Sequence, residues 1–532
     1  MNQFSHETGL NWKALVLIVL LSGQRNSGYL RMIKMSETRL LTKTEFIRGL
    51  DCVRRAWLDL HRPDLKAPLS LASRDRMETG KLIGELARAR YSGGHMASNS
   101  GSSHDIAVAD TLEKLQAGHR CLFEATFVAS GRLARLDVLH QVDSGEWTLD
   151  EVKSSSVKEP KKIAEDKVLD LAFQFQTTRD AGHPVKHARL VLVDTSFVWD
   201  GGAFNPHALL GVVDLTDVCE ESAARITDHS TRLSAVLASD SEPDVELNTH
   251  CKDCDYFDHC HADSPKHDLI FLPRITAKAV NDLRAKGYRS ITDIPEDEKL
   301  TDARKRMRDV VVSGEPYIGD GLKSALEAIP FPAAFIDYES SNPAFPMYPG
   351  TRPYQQICFQ WSAHLLALPD SEPSHHEFLP EGSEDPRPGF CQSLWETIKD
   401  CESIVHYTHF EKTQLKLMVA DGIPYAQELL DAIEARSVDL EKIVSEHVYL
   451  EGFKGRTSIK VVLPTLVPSM SYKDLLIADG TAAAAGFRKM LSPNTTSQEA
   501  AELRRALLDY CCQDTLAMVE IYLALKRLAR SE

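Results

Sequence analysis

The sequence is poor in several things, and each shortage narrows what it can be. It has no long apolar run: the longest near the start, residues 14–21, falls far short of the ~20 residues a membrane span needs, and Lys13 precedes it without a small-residue cleavage site behind it. Basic residues do not prevail, with 61 Lys and Arg against 77 Asp and Glu and a net charge of −16, which argues against nonspecific nucleic-acid binding over the whole surface. Paired cysteines at regular spacing are missing too. The eleven are odd in number and scattered, so a reducing compartment is expected, where clustered thiols hold metal rather than form disulfides. Cytoplasmic residence without a membrane follows as the expectation.

What is present is an ordinary globular composition, 43% apolar and 26% charged, in a chain of 532 residues, long enough for several cores. Residues 1–34 read as a non-structural leader ahead of Met35, which looks like the true start. A capped helix is expected to open near Thr42 or Thr44 with Glu45 behind it, and a second helix over residues 73–90. Strand-like runs at 122–128, 133–141 and 147–153 are separated by turn residues at Gly131 and Ser144-Gly145. A helix over 163–180 and a strand over 188–193 complete a compact α/β unit, 35–264. Residues 265–330 read as a helical linker in which LPRITAKAVNDLRAKGYRSITDI has the form of a helix-hairpin-helix element turning at Gly287. A second α/β domain, 331–532, is expected to carry strands at 333–338, 356–365 and 403–407 and helices at 410–419, 425–435 and 500–528. Local basic clusters stand at Arg54-Arg55, 158–162 and Arg304-Lys305-Arg306 with Arg308. Each is a candidate phosphate contact or a solvated face.

Two groups of residues in the first unit carry chemistry. Cys251, Cys254 and Cys260 form C-x2-C-x5-C, enough for three corners of a metal centre, and Cys52, about 200 residues upstream, can close it. Between them, RLDVLH ends a strand on Asp137, and LDEVKSS presents Glu151 and Lys153 two apart, hence on one strand face. Two carboxylates can hold Mg²⁺ or Mn²⁺ and a neighbouring ammonium can orient water or offset phosphorane charge, the equipment of metal-assisted phosphodiester hydrolysis.

Taken together, EATF, ARLDVLH, LDEVKSSSVKE and FQFQT, with Cys52 before and CKDCDYFDHC after, resemble the RecB-like PD-(D/E)XK nuclease family, and more narrowly its iron–sulfur branch, over residues 40–262. The resemblance implies a [4Fe-4S] cluster on Cys52, Cys251, Cys254 and Cys260, with zinc the alternative. It also implies a catalytic metal on Asp137 and Glu151, assistance from Lys153, and substrate contact by Gln174. The family's histidine on the early helix is absent, and Gly84-Glu85 occupies that neighbourhood, with Glu85 a substitute ligand.

In the second domain, FIDYES sets Asp337 and Glu339 on one strand face, HYTHFEKTQL offers Glu411 at a helix start, and YCCQDTLAM puts Tyr510 and Asp514 four apart on one helix face. Carboxylates from a strand and two helices can hold two divalent ions ~4 Å apart, with a tyrosine orienting the attacking water. This order resembles a DEDDy-type 3′–5′ exonuclease of the DnaQ-like, RNase H-like fold. Glu411 stands where that family has aspartate, and Asp439 is a further acid nearby. In NPAFPMYPGTRPYQQICFQWSAH, residues Tyr348, Arg352 and Tyr354 could stack bases or cap the core.

The whole succession resembles a bacterial family fusing an iron–sulfur RecB-like domain to a DnaQ-like one. It implies a nuclease acting on nucleic acid, single-stranded DNA foremost and RNA as an alternative, with any helicase or repair partner left open. The competing expectation is a nucleic-acid-binding or scaffolding protein whose sites no longer cut.

Overall fold

The computed structural model describes residues 39–97, 103–157, 163–472 and 475–530. The leader at 1–34 and the basic segment at 158–162 lie outside the described residues. The chain is an α/β protein with two main mixed sheets. Among the described residues no helix is long and apolar enough to cross a membrane.

The front half begins with a short strand, β1 (Leu41–Thr42), and a helix, α1 (Lys43–Asp51). Thr42 caps α1 through a reciprocal box: its hydroxyl accepts from Glu45 N at 3.3 Å, and Glu45 Oε2 accepts from Thr42 N at 2.9 Å. That box fixes Lys43 in the first turn. Helices α2 (Val53–His61) and α3 (Leu71–Arg88) follow. The sheet comprises β2 (His95–Met96), β3 (Cys121–Ala129), β4 (Arg132–Gln141), β5 (Trp147–Val157), β6 (Val185–Asp194) and β7 (Leu210–Asp214), hydrogen-bonded in that order, with β1 added beside β4. β3, β4 and β5 form an antiparallel meander, while β5 and β6 run parallel. The crossover between them is α4 (Glu165–Asp180), which buries Leu169, Leu171, Ala172, Phe173 and Phe175 on the sheet. Gly131 and Gly145 turn the meander in the left-handed region, at φ +72° and +85°, where a Cβ would be strained.

Residues 265–330 hold α5 (Ala277–Ala285), α6 (Asp302–Ser313) and a two-residue strand, β8 (Tyr317–Ile318). Gly287, at φ +93°, ends the α5 region as the sequence suggests, but a 3₁₀ turn at Ile291–Asp293 intervenes before α6. The segment's core residues Val280, Leu283, Met307 and Val310 belong to one apolar cluster with the rear domain.

The rear sheet is formed by β9 (Ala333–Ser341), β10 (Ile357–Leu366), β11 (Ser374–Phe378), β12 (Ser403–His406) and, after helix α7 (Phe410–Ala420), β13 (Ser437–Asp439). Its order is β11-β10-β9-β12-β13, with the first three antiparallel and β12 and β13 parallel to β9. The short strand β14 (Val448–Tyr449) pairs with β8. Helix α8 (Gly480–Met490) and the long α9 (Ser497–Arg530) then pack against β9 and β10. Phe359 and Phe487 stack at 3.9 Å where α8 meets β10.

The two halves touch through α3, which packs on α8, and through the segment after β9. Arg488 on α8 pairs with Asp75 on α3 (Nε to Oδ1, 3.2 Å). Thr351 O accepts from Trp199 N at 3.0 Å, and Trp199 O accepts from Gly350 N at 2.7 Å. Tyr348 is buried and Tyr354 packs with Ile83, Val191 and Leu209 of the front half, so the aromatic segment serves this junction.

Candidate functional site

The four thiols come together. Cys52 occupies the extended joint between α1 and α2, at φ −163° and ψ 120°. Cys251 and Cys254 lie on and after the 3₁₀ turn Thr249–Asp253, and Cys260 on the short helix Phe257–His261. All four are free, half-buried, and line one cavity of about 490 Å³ with Leu58, Tyr256 and Phe257. Burial pushes the Cys251 and Cys260 thiols up, so a cation is needed to hold them as thiolates. Tetrahedral zinc at ~2.3 Å from each sulfur requires sulfurs ~3.8 Å apart. Among the described residues, two groups of three or more metal-ligating side chains bring their ligand atoms within 4.8 Å, and neither contains these cysteines.

The front acidic site is assembled by the divergence of β4 from β5. Their last paired rung is Val138 with Asp150, so Asp137 sits one step beyond, beside Glu151. Instead of a further rung, Asp137 Oδ2 accepts from Val152 N at 2.8 Å. Glu151 Oε1 accepts from Lys153 Nζ and from Lys43 Nζ, both at 2.7 Å. Lys153 also pairs with Asp170 on α4, whose Oδ1 accepts from Gln174 Nε2 at 3.0 Å. Glu151 Oε2 and Gln174 Oε1 are buried without a hydrogen-bond partner among the described residues. Burial and the Glu151 charge raise Asp137 to about 7. Burial also works against ionised Glu151, but the Lys43 and Lys153 ammonium groups overcome it and hold the carboxyl down at about 2. Glu85 is half-exposed on α3, beside Lys81 at 4.0 Å. Lys43 and Asp170 were not legible in the sequence. Behind the site, Asp150 takes Arg189 Nε at 2.7 Å and Tyr91 OH at 2.6 Å, anchoring β5 from its other face.

The rear site converges more tightly. Asp337 and Glu339 on β9 and Asp514 on α9 bring one carboxylate oxygen each to within 4.8 Å of one another. Tyr510 lies one helical turn before Asp514; its hydroxyl accepts from Lys460 Nζ at 3.0 Å. Asp514 Oδ1 accepts from Tyr472 OH at 2.6 Å. Glu411, in the first turn of α7, is buried but lies outside the close trio; its Oε2 has no hydrogen-bond partner among the described residues and stands 4.0 Å from His406 Nδ1. Asp439 is committed elsewhere, capping the helix Leu440–His447 by accepting from Lys442 N at 3.1 Å. Burial, then repulsion from Asp514 and its neighbours, lifts Asp337 and Glu339 well above the usual carboxylate range, and burial lifts Glu411 to about 8. Lys460 is the cation that opposes this at Glu339. A divalent ion would relieve the repulsion, so the donor set fits one.

A family model for a domain of unknown function (DUF2779) matches residues 334–458. That stretch holds Asp337, Glu339 and Glu411 and ends before Tyr510 and Asp514. No curated protein matches the chain. Among solved structures, one titled "Crystal structure of SSO0001" is 14% identical, covering 48% of this chain and 100% of that one at a TM-score of 0.20, a likeness too slight to carry a fold assignment.

A cleft of about 690 Å³ reaches the rear site at Glu339, lined by Glu339, Asp479 and Gly480 together with Asp75 and Arg76 of α3. Gly480 is held close to the site: a Cβ there would lie 3.4 Å from Glu339 Oε2. Among the described residues, the basic clusters at Arg54 and at Arg304, Arg306 and Arg308 do not line this cleft. Arg54 binds Pro243 O, Arg304 binds Pro273 O, and Arg306 and Arg308 bind Ser445 O and Pro295 O, so these guanidinium groups tie segments together.

Proposed function

We propose that the chain is a metal-dependent nuclease with two phosphodiester-hydrolysing sites. The front domain cuts or resects single-stranded DNA, and the rear domain trims 3′ ends of DNA or RNA. The observation that carries this reading is the close trio of part-buried Asp337 with buried Glu339 and Asp514, Tyr510 one helical turn away, with Glu339 lining a cleft of about 690 Å³.

The sheet orders support the finer folds. A three-stranded antiparallel meander followed by two strands parallel to its first member is the order of an RNase H-like sheet. Helix, meander, crossover helix and parallel strand is the order of a PD-(D/E)XK core. The four thiols lining one cavity of about 490 Å³ support a [4Fe-4S] cluster as the clasp of the front domain, with zinc as the alternative.

At the rear site Asp337, Glu339 and Asp514 would hold the divalent ion, Mg²⁺ or Mn²⁺. Bound there, such an ion supplies Lewis-acid activation of water and neutralisation of phosphate charge. Tyr510, its oxygen engaged by Lys460, keeps its own proton for Asp514 or for an attacking water. In the front site Asp137 and Glu151 supply the oxygens, and Lys153 bridges Glu151 and Asp170 at the position where phosphorane charge would develop.

The test is cleavage of 5′- and 3′-labelled DNA and RNA with Mn²⁺ by the wild type, Asp137→Asn and Asp337→Asn. Loss of 3′ trimming only in Asp337→Asn, and of a second activity only in Asp137→Asn, supports the proposal. Intact substrates that are nevertheless retained by the protein would instead favour the binding reading, to which the position of Glu411 outside the trio points.

A further inference from the structure

A third cluster stands apart from both acidic sites. His364 on β10 and His375 on β11 are directly opposed across the strand pair, their rings stacked at 4.6 Å and 29°. Cys512 reaches them from α9, and one ligand atom from each of the three lies within 4.8 Å of the others. His364 is buried, Cys512 half-buried and His375 exposed. A chain of hydroxyls holds the two imidazoles: His364 Nδ1 meets Thr515 Oγ1 at 2.7 Å, Thr515 Oγ1 meets Ser362 Oγ at 2.8 Å, and Ser362 Oγ meets His375 Nε2 at 3.0 Å. Each ring thus spends one nitrogen on the chain and keeps the other for a ligand. That is the arrangement by which outer hydrogen bonds fix the tautomer and orientation of ligating histidines.

We propose that His364, His375 and Cys512 bind a zinc ion, with Glu377 as the fourth ligand. One thiolate and two imidazoles form a borderline-soft set that suits zinc and does not suit Mg²⁺ or Ca²⁺. Glu377 follows His375 by two residues and pairs across to Ser362, so it stands on the same sheet face as both histidines. The site is separate from the rear carboxylates although it shares α9 with them. Cys511 and Asp514 turn toward Asp337 on β9, whereas Cys512 and Thr515 turn toward β10 and β11. A zinc ion here would pin β11, whose side chains are otherwise mostly exposed, to the helix that carries Asp514 and Tyr510. Its role is therefore to hold the register of α9 rather than to enter the chemistry.

The test is metal analysis of the full chain purified without oxygen from zinc-supplemented cells, with zinc and iron counted per chain. One zinc per chain is expected in the wild type and in Cys251→Ser, and an at least tenfold lower occupancy in Cys512→Ser and in His375→Ala. His375 lies on an exposed edge, so His375→Ala is the variant expected to keep the fold, checked by far-ultraviolet circular dichroism. Cobalt replacing zinc should give a thiolate-to-metal charge-transfer band that Cys512→Ser lacks. Zinc retained in both Cys512→Ser and His375→Ala, zinc lost instead from Cys251→Ser, or a folded wild type without zinc would each overturn the proposal.

Discussion

If a cluster joins Cys52 to the Cys251–Cys260 segment, its largest effect on stability comes from the length of chain it closes. About 200 residues separate Cys52 from Cys251. In the chain-entropy treatment, cross-linking a loop of that length removes ~5 kcal/mol of freedom from the unfolded state at 25 °C, whereas tying Cys260 to Cys254, about six residues away, removes only ~2 kcal/mol. Cys52→Ser should therefore cost roughly twice as much as Cys260→Ser or more. Both side chains are half-buried, and serine is close in size to cysteine, so packing changes are small. The assay is urea unfolding under nitrogen followed by circular dichroism, with iron determined on the same samples. The telling result is a Cys52→Ser protein that keeps iron on its three remaining thiols yet unfolds several kcal/mol sooner. Equal losses in the two variants, or a wild type without iron, refute the reasoning.

Asp337→Asn should raise the melting temperature of the metal-free protein, because it removes one of several mutually repelling buried carboxyls, while abolishing the stabilisation that Mn²⁺ gives the wild type; a scan with chelator and with Mn²⁺ reads both. His183, buried against Phe127 and Trp147, is pushed down by burial to about 4, below its unfolded value near 6.5. Its contribution to stability is thus intact above pH 6.5 and lost as pH falls toward 4, about 2 kcal/mol between pH 7 and 5, and His183→Phe should flatten that part of the urea-midpoint profile. Gly455 and Gly422 share a left-handed backbone, φ +74° and +72°, but a Cβ at Gly455 would meet Phe271 O at 1.8 Å and one at Gly422 would meet nothing within 4 Å. Gly422→Ala should therefore cost ~1 kcal/mol and Gly455→Ala at least ~2 kcal/mol more, measured as the difference in unfolding free energy.

How much of this could be read beforehand depended on whether the signal was local. The meander β3-β4-β5 shows in the sequence because alternation and turn glycines lie within a few residues of each other. Asp137, Glu151 and Lys153 follow from it by strand parity. Lys43 does not, since its contact with Glu151 spans 108 residues and a lysine opening a helix has no distinguishing neighbours. Asp170 reads as one more polar residue of α4 until Lys153 and Gln174 are placed around it. In the rear domain, β11 escapes notice because SHHEF is short and mostly exposed, without an apolar face to mark a strand. With it went the pairing of His364 and His375. Helix α8 is hard to read because its two glycines disfavour a helix and its alanines leave no large apolar stripe at helical spacing, and the cleft it forms with α3 is hidden with it.

The two acidic sites differ in a way that neither motif implies. In the front site Asp137, Glu151 and Asp170 face two ammonium groups, Lys43 and Lys153, so most of the negative charge is already offset within the protein. In the rear site, Lys460 is the cation among the described residues that opposes the charge of Asp337, Glu339, Glu411 and Asp514, and that ammonium is engaged with Tyr510. A divalent ion entering the front site must compete with Lys43 for Glu151, whereas one entering the rear site relieves repulsion that Lys460 offsets only in part. Metal should consequently fill the rear site at the lower concentration, and the front site should gain affinity only when substrate phosphate draws Lys43 or Lys153 away from Glu151. On the proposed function, the front site would acquire its metal together with nucleic acid, and the rear site would hold it beforehand.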